Sequence, residues 1–284
     1  MNLKNYAGGH GGRNQVTDLD SHILYRKPKE LIDMLGYRLW RQLMWNTYRR
    51  VFAGALEHHQ MYFNALESHG IFQGVSSLFS IGPGDGVFES AWLSHGGQQL
   101  GYVETFKPHV KNLERRIMAQ GMSDRIHERH LGGFQNVKVQ FHYDLVVSIH
   151  SWFDFGTNEA LLHKALSTCR PGGHLVIAVS NRDDGLTGQL LQKKGISTEA
   201  LSKWANEIGF EHKLISINRE LPIELFVQNK RITPLARDAI SFFIGRPWFR
   251  IPLERRKEVS EKLIDLAGSG PLVRRYGCLV FRRH

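Results

Sequence analysis

Cysteine is nearly absent. Cys169 and Cys278 are the two in 284 residues, too few for a disulfide framework or, by themselves, a zinc site. No stretch approaches the roughly 18 consecutive apolar residues of a membrane-spanning helix. The opening Met1 to Arg13 is polar and glycine-rich, without the apolar core of a secretory signal. The expectation is a cytoplasmic protein with no membrane partner. Internal repeats are lacking, and so is a disordered composition: 42% hydrophobic against 23% charged residues leaves enough apolar material for a full core. A dedicated basic arm is missing as well. The 37 basic residues outnumber the 27 acidic ones, but they fall in scattered groups such as Arg49-Arg50, Arg115-Arg116, Arg255-Arg256-Lys257 and Arg274-Arg275. That distribution favours a solvated basic surface over a nucleic-acid partner.

What is present is an alternation of helical and strand patterns. Residues 1–28 read as an irregular lead-in. From Pro28 to Ser68 an apolar stripe recurs every four residues through Leu31, Leu35, Leu39 and Leu43, predicting a long helix or helix pair. This stripe either packs on the domain or forms a lid whose Trp40, Trp45 or Tyr48 faces a pocket. Ser77–Ile81, Gly101–Glu104, Asp144–Ile149 and His174–Val179 read as strands. Helical runs separate them, from Val87, from Pro108 to Gln120 and from Thr157 to Cys169, with Arg170–Gly173 as a turn. Such alternation implies parallel pairing with right-handed crossovers. A helix from Ser197 to Ile208 and strands at Phe210–Asn218 and Gly277–Phe281 follow. Helices at Pro234–Ile244 and Leu253–Leu266 lie between those late strands, suggesting a hairpin edge that carries a cap.

One positional set carries chemistry. Gly82-x-Gly84-x-Gly86 stands directly between a strand and a helix, where glycine allows a tight turn and close approach of a ligand. Eighteen residues beyond Gly86, Glu104 ends the next strand, placed to accept hydrogen bonds from ribose hydroxyls. Together they indicate an adenosine-containing cofactor at the carboxyl ends of the first two strands. Asp85 inside the loop would repel a pyrophosphate but suits a sulfonium and an ammonium group. That favours S-adenosylmethionine, with S-adenosylhomocysteine as product, over a nicotinamide dinucleotide.

In Ser80–Gly86, Val103-Glu104, Tyr143–Ser148 and Arg170–Leu175 the chain resembles the class I, Rossmann-like S-adenosylmethionine-dependent methyltransferases. The resemblance spans about residues 75–180. It implies an α/β fold with a seven-stranded, mostly parallel sheet and an antiparallel last strand. It also implies that Gly82, Gly84 and Gly86 pass under the methionine part of the cofactor while Glu104 holds the ribose. Asp85 and Ile149 complete the expected cofactor set. The layout, with N-terminal helices and a helical insertion near the C-terminus, is similar to that of histamine N-methyltransferase and its small-molecule relatives. On that basis residues 1–70 would be a helical lid and 71–284 the methyltransferase domain, with a cap insertion at about 220–270.

The acceptor side follows from the end of the fourth strand. His150 is the candidate for orienting an acceptor or taking its proton, since histidine titrates near neutrality; a purely structural histidine is the competing reading. Trp152, Phe153, Tyr48 and Phe243 are the candidate substrate-binding residues, with core packing as the alternative for the aromatics. No Asn/Asp-Pro-Pro-Tyr/Phe signature follows the fourth strand, which counts against methylation of adenine or glutamine amides. Arg129–Gly133 lacks the acid that often meets the adenine. No metal is expected; a two-carboxylate magnesium site made by Asp154 with Asp183 or Asp184 is the alternative. The reading is methyl transfer to a nitrogen or oxygen of a small molecule, aromatic or amine, in a closed pocket. An RNA or protein methyltransferase and a non-catalytic cofactor-binding protein are the alternatives. Oligomeric state is left open.

Overall fold

The computed structural model describes residues 46–47, 50, 58–181, 196–244 and 246–284. The apolar stripe expected from Pro28 therefore lies outside the described residues except for its end, where His58–Ser68 forms α1. Strand and helix then alternate through β1 (Ser77–Ile81), α2 (Val87–Ser94), β2 (Gln99–Glu104), α3 (Lys107–Ala119), β3 (Ile126–Leu131), β4 (Tyr143–Ile149), α4 (Glu159–Thr168) and β5 (Cys169–Ser180). Next come α5 (Thr198–Glu207) and β6 (His212–Leu221), a short ribbon of β7 (Val227–Gln228) and β8 (Arg231–Ile232), α6 (Pro234–Ile244), α7 (Leu253–Ser269) and β9 (Leu272–Arg282). Local chemistry sets several of these starts. Asn158 caps α4 by accepting the Leu161 amide at 3.0 Å, and Ser197 caps α5 by accepting the Ala200 amide at 3.2 Å.

Among the described residues the main sheet has seven strands in the order β3-β2-β1-β4-β5-β9-β6. The first five pair in parallel, and β9 runs antiparallel to both β5 and β6. The expected fold class holds, and the antiparallel strand sits inside the sheet, with β6 at its edge. Alternation of side chains explains the two faces. Leu78, Leu100, Leu145 and Val147 pack under α1, α2 and α3, against Tyr62, Phe63, Phe88, Trp92 and Leu113. Phe79, Val146, Ile177 and Val179 pack on the other face against Leu162 of α4 and Leu201 of α5. Between β6 and β9, α6 and α7 enclose a separate core around Phe226, Ala236, Ile240, Val259 and Leu263.

Two expected boundaries are corrected. The turn at Arg170–Gly173 is incorporated into β5 as a wide bulge: Tyr143 pairs with Cys169 but Leu145 with His174. Gly172 adopts φ 78°, and Gly172 and Gly173 exchange hydrogen bonds of 2.8 and 2.9 Å with the backbone of Arg283. The last strand starts at Leu272, five residues before Gly277. Its arginines hid this, yet Arg274 is buried with its guanidinium 4.7 Å from the Tyr276 ring centre. Both cysteines are free and buried, and burial raises each thiol to about 12. No helix among the described residues is long and apolar enough to cross a membrane.

Candidate active site

Parallel strands with right-handed crossovers deliver their carboxyl ends to one edge of the sheet, where a crevice opens at the point of chain reversal. There β1 ends in the glycine loop, β2 in Glu104 and β4 in Ile149, with His150 the next residue. The three loop glycines have φ of 69°, 61° and 74° at Gly82, Gly84 and Gly86, the left-handed region that side chains disfavour. Protein packing adds a second reason at two of them. A Cβ on Gly82 would lie 2.5 Å from Cβ of Ser151, and one on Gly86 would lie 2.7 Å from Cγ of Leu113.

Glu104 ties the loop to the next helix. Its Oε2 accepts the Gly84 amide at 3.1 Å and lies 3.4 Å from Nδ1 of His109, while Oε1 accepts the Phe106 amide at 2.9 Å. Asp85 is buried, and Arg116 of α3 reaches its Oδ2 at 3.6 Å and its carbonyl at 3.1 Å. Two buried groups in the same cluster escaped sequence reasoning. Burial lowers His59 of α1 to about 4 against the opposing attraction of Asp85. Glu89 of α2 accepts the Ser80 hydroxyl at 2.5 Å. The sequence signal for Glu89 was a single acid inside the apolar run Val87–Leu93.

His150 has a left-handed backbone, φ 55°, immediately after β4. Its amide donates to the Ala178 carbonyl at 3.0 Å, which holds the turn against β5. The Nε2 atom lies 2.7 Å from the hydroxyl of Tyr62, a residue of α1 that sequence reasoning also missed. Phe153 stacks on the imidazole with ring centres 5.8 Å apart and planes inclined by 15°, and Tyr276 meets its edge at 5.6 Å. Trp152 is wholly buried and packs in the core on the α4 side of the sheet, its indole N–H donating to the Gly156 carbonyl at 3.1 Å. Tyr48 and the side chains of Phe243 and Asp154 lie outside the described residues, as do Asp183 and Asp184. Among the described residues no group of three or more His, Cys, Asp or Glu is arranged to hold a metal. A cleft of about 560 Å³ lined by His163, Phe210, Arg282 and Arg283 lies at the opposite, amino end of the parallel strands, away from this constellation.

No family model and no curated protein matches the chain. Solved structures match it in fold. One is provisionally described as a methyltransferase from Bacillus halodurans, with TM-score 0.56, 10% identity, and coverage of 78% of this chain and 98% of that one. Another, from Galdieria sulphuraria, is provisionally described as a sarcosine dimethylglycine methyltransferase, with TM-score 0.52, 14% identity, and coverage of 84% and 98%. A third is the StiE O-MT segment, with TM-score 0.50, 12% identity, and coverage of 86% and 82%. The chain has the Rossmann-like fold of class I methyltransferases.

Proposed function

We propose that the protein transfers a methyl group from S-adenosylmethionine to a nitrogen or oxygen of a small molecule. The observation that carries this reading is Glu104 accepting the Gly84 amide at the carboxyl ends of β1 and β2, with Asp85 and Glu89 buried beside them. Three carboxyl groups suit a cofactor bearing sulfonium and ammonium charge and oppose a pyrophosphate. When bound, the cofactor supplies a methyl group activated on a sulfonium. Glu104 would accept hydrogen bonds from the ribose, and Gly82, Gly84 and Gly86 with Asp85 and Ile149 would frame the adenosyl and methionine parts.

On the acceptor side His150 would orient the acceptor and take its proton if it arrives as an ammonium or phenol. In the tautomer whose Nε2–H donates to Tyr62, Nδ1 is the basic nitrogen. Phe153 holds the ring plane. The remaining contribution is positioning and exclusion of water. The resemblance of the sequence layout to histamine N-methyltransferase is the support for an amine or aromatic acceptor. The test is calorimetric titration with S-adenosylmethionine and S-adenosylhomocysteine, with Glu104→Ala as control, followed by a methyl-transfer screen of amines and phenols. Micromolar binding lost in the variant is expected; no binding of either ligand to the wild type overturns the reading.

A further inference from the structure

Asp85 in the glycine loop, Glu89 in the first turn of α2 and Glu104 at the end of β2 are at most 5% exposed. Their surroundings are not equivalent. Arg116 of α3 pairs with Asp85 at 3.6 Å, and His109, also of α3, lies 3.4 Å from Glu104. Glu89 has no ion pair among the described residues. Its Oε1 accepts the Ser80 hydroxyl of β1, and its Oε2 is buried with no hydrogen-bond partner. The nearby His59 of α1 supplies no charge near neutral pH, since burial lowers it to about 4. A third carboxylate here would be buried, next to two others and without a counter-ion, so the neutral acid is the stable form.

We propose that Glu89 is the proton-linked counter-charge of the cofactor site, a neutral acid in the ligand-free protein and a carboxylate when a cationic adenosyl ligand binds. This rests on the cofactor reading above. The step is a simple ionisation: the proton on Oε2 passes to solvent, and the electron pair left behind faces the added positive charge. Burial, aided by Asp85 and Glu104 and opposed by the Ser80 bond, raises Glu89 to about 7, which puts that ionisation within reach of neutral pH. The same device separates cofactor from product. S-adenosylmethionine carries one more positive charge than S-adenosylhomocysteine, so loss of the methyl group favours return of the proton.

Calorimetric titration of the full chain with S-adenosylmethionine, in two buffers of different ionisation enthalpy, counts the protons released. The expected result is about half a proton per ligand at pH 7, rising towards pH 6 and fading above pH 8. S-adenosylhomocysteine should release fewer. The ligand's own ammonium also titrates, so the decisive quantity is the difference between wild type and Glu89→Gln, in which the Glu89 proton is absent. Binding with equal proton release in both proteins overturns the inference and leaves the cofactor reading standing. Failure of both ligands to bind removes the cofactor reading and the inference with it. Should Glu89→Gln not fold, Ser80→Ala serves instead: it removes the hydroxyl that stabilises the carboxylate, and the pH profile of release should move upwards. An unmoved profile overturns the inference.

Discussion

The hydroxyl of Tyr62 and Nε2 of His150 lie 2.7 Å apart, joining residues 88 positions apart in the chain. Tyr62 is fully buried in α1, so the contact fixes the imidazole from the protein side. The left-handed backbone of His150 points the same way, since a residue held there against its ordinary preference marks a place where position is over-determined by its surroundings.

If His150 takes the acceptor's proton, His150→Asn should lower kcat by roughly 10²–10⁴-fold with an acceptor that arrives protonated. Asparagine tolerates the left-handed conformation, so the fold should survive. Tyr62→Phe should cost about tenfold in kcat and shift the acid limb of the pH–rate profile, with KM for the cofactor nearly unchanged. Steady-state kinetics across pH 5–9 with the acceptor found by screening measure both. Equal activity in His150→Asn and wild type would make His150 structural.

Glu104 anchors the glycine loop and is also the proposed ribose acceptor, and the two roles separate experimentally. Glu104→Gln should weaken S-adenosylmethionine binding by about 10–100-fold, because hydrogen bonds to a charged acceptor become bonds to a neutral one. Its amide nitrogen would also face the Gly84 or Phe106 N–H, so stability should fall by about 1–2 kcal/mol. Titration calorimetry and urea unfolding on the same preparation read the two effects. A loss of stability without a loss of affinity would make Glu104 a loop anchor only.

At the other end of the sheet Asp144 pins β1 to β4. Its Oδ2 accepts the Ser76 amide at 2.7 Å, the Ser76 hydroxyl at 2.9 Å and the Ser77 amide at 2.9 Å, while Arg170 pairs with Oδ1. Burial alone would raise this carboxyl, but the hydrogen bonds from Ser76 and Ser77 together hold it below its ordinary value. The unfolded chain therefore binds its proton more readily than the folded one. The stabilisation is complete above about pH 4 and drains away as pH falls through the folded value. Asp144→Asn should destabilise by about 1–3 kcal/mol at pH 7 and by less at pH 3. Urea unfolding at both pH values checks this.

The part of the site that was legible in the sequence is the part whose chemistry demands a residue type at a fixed place. Glycine is required at Gly82, Gly84 and Gly86 by backbone conformation, and an acid at the end of the second strand is visible because the strand pattern locates it. Tyr62, His59 and Glu89 were not legible, because each acquires its partner only when α1 and α2 pack over the sheet. Trp152 illustrates the converse. Its type suggested a pocket wall, but strand alternation and the helical turn after β4 direct it into the core opposite the α1 side. The start of β9 was missed because a buried arginine reads as a solvated one until Tyr276 is seen to cover it. Gly277 was read only as part of a strand. Its missing side chain makes room for α5, since a Cβ there would lie 2.1 Å from Cγ2 of Thr198.

Glu89 gives a stability prediction independent of any ligand. Burial raises it from 4.5 to about 7 in the folded protein. Between those values the folded state binds more protons than the unfolded chain, so this group's contribution to stability falls as pH rises and levels off above the folded value. At pH 5 the folded protein holds Glu89 neutral and little is lost. At pH 8 the group must either ionise in a buried site or keep a proton against solvent, a penalty on the order of 3 kcal/mol. Glu89→Gln keeps the shape and removes the titration. It should therefore raise the melting temperature by several degrees at pH 8 and leave it nearly unchanged at pH 5. A variant less stable than wild type at pH 8 would mean that the carboxylate is ionised and satisfied in the folded protein. Glu89 would then already carry its charge before any cation arrives, and binding would release no proton from it.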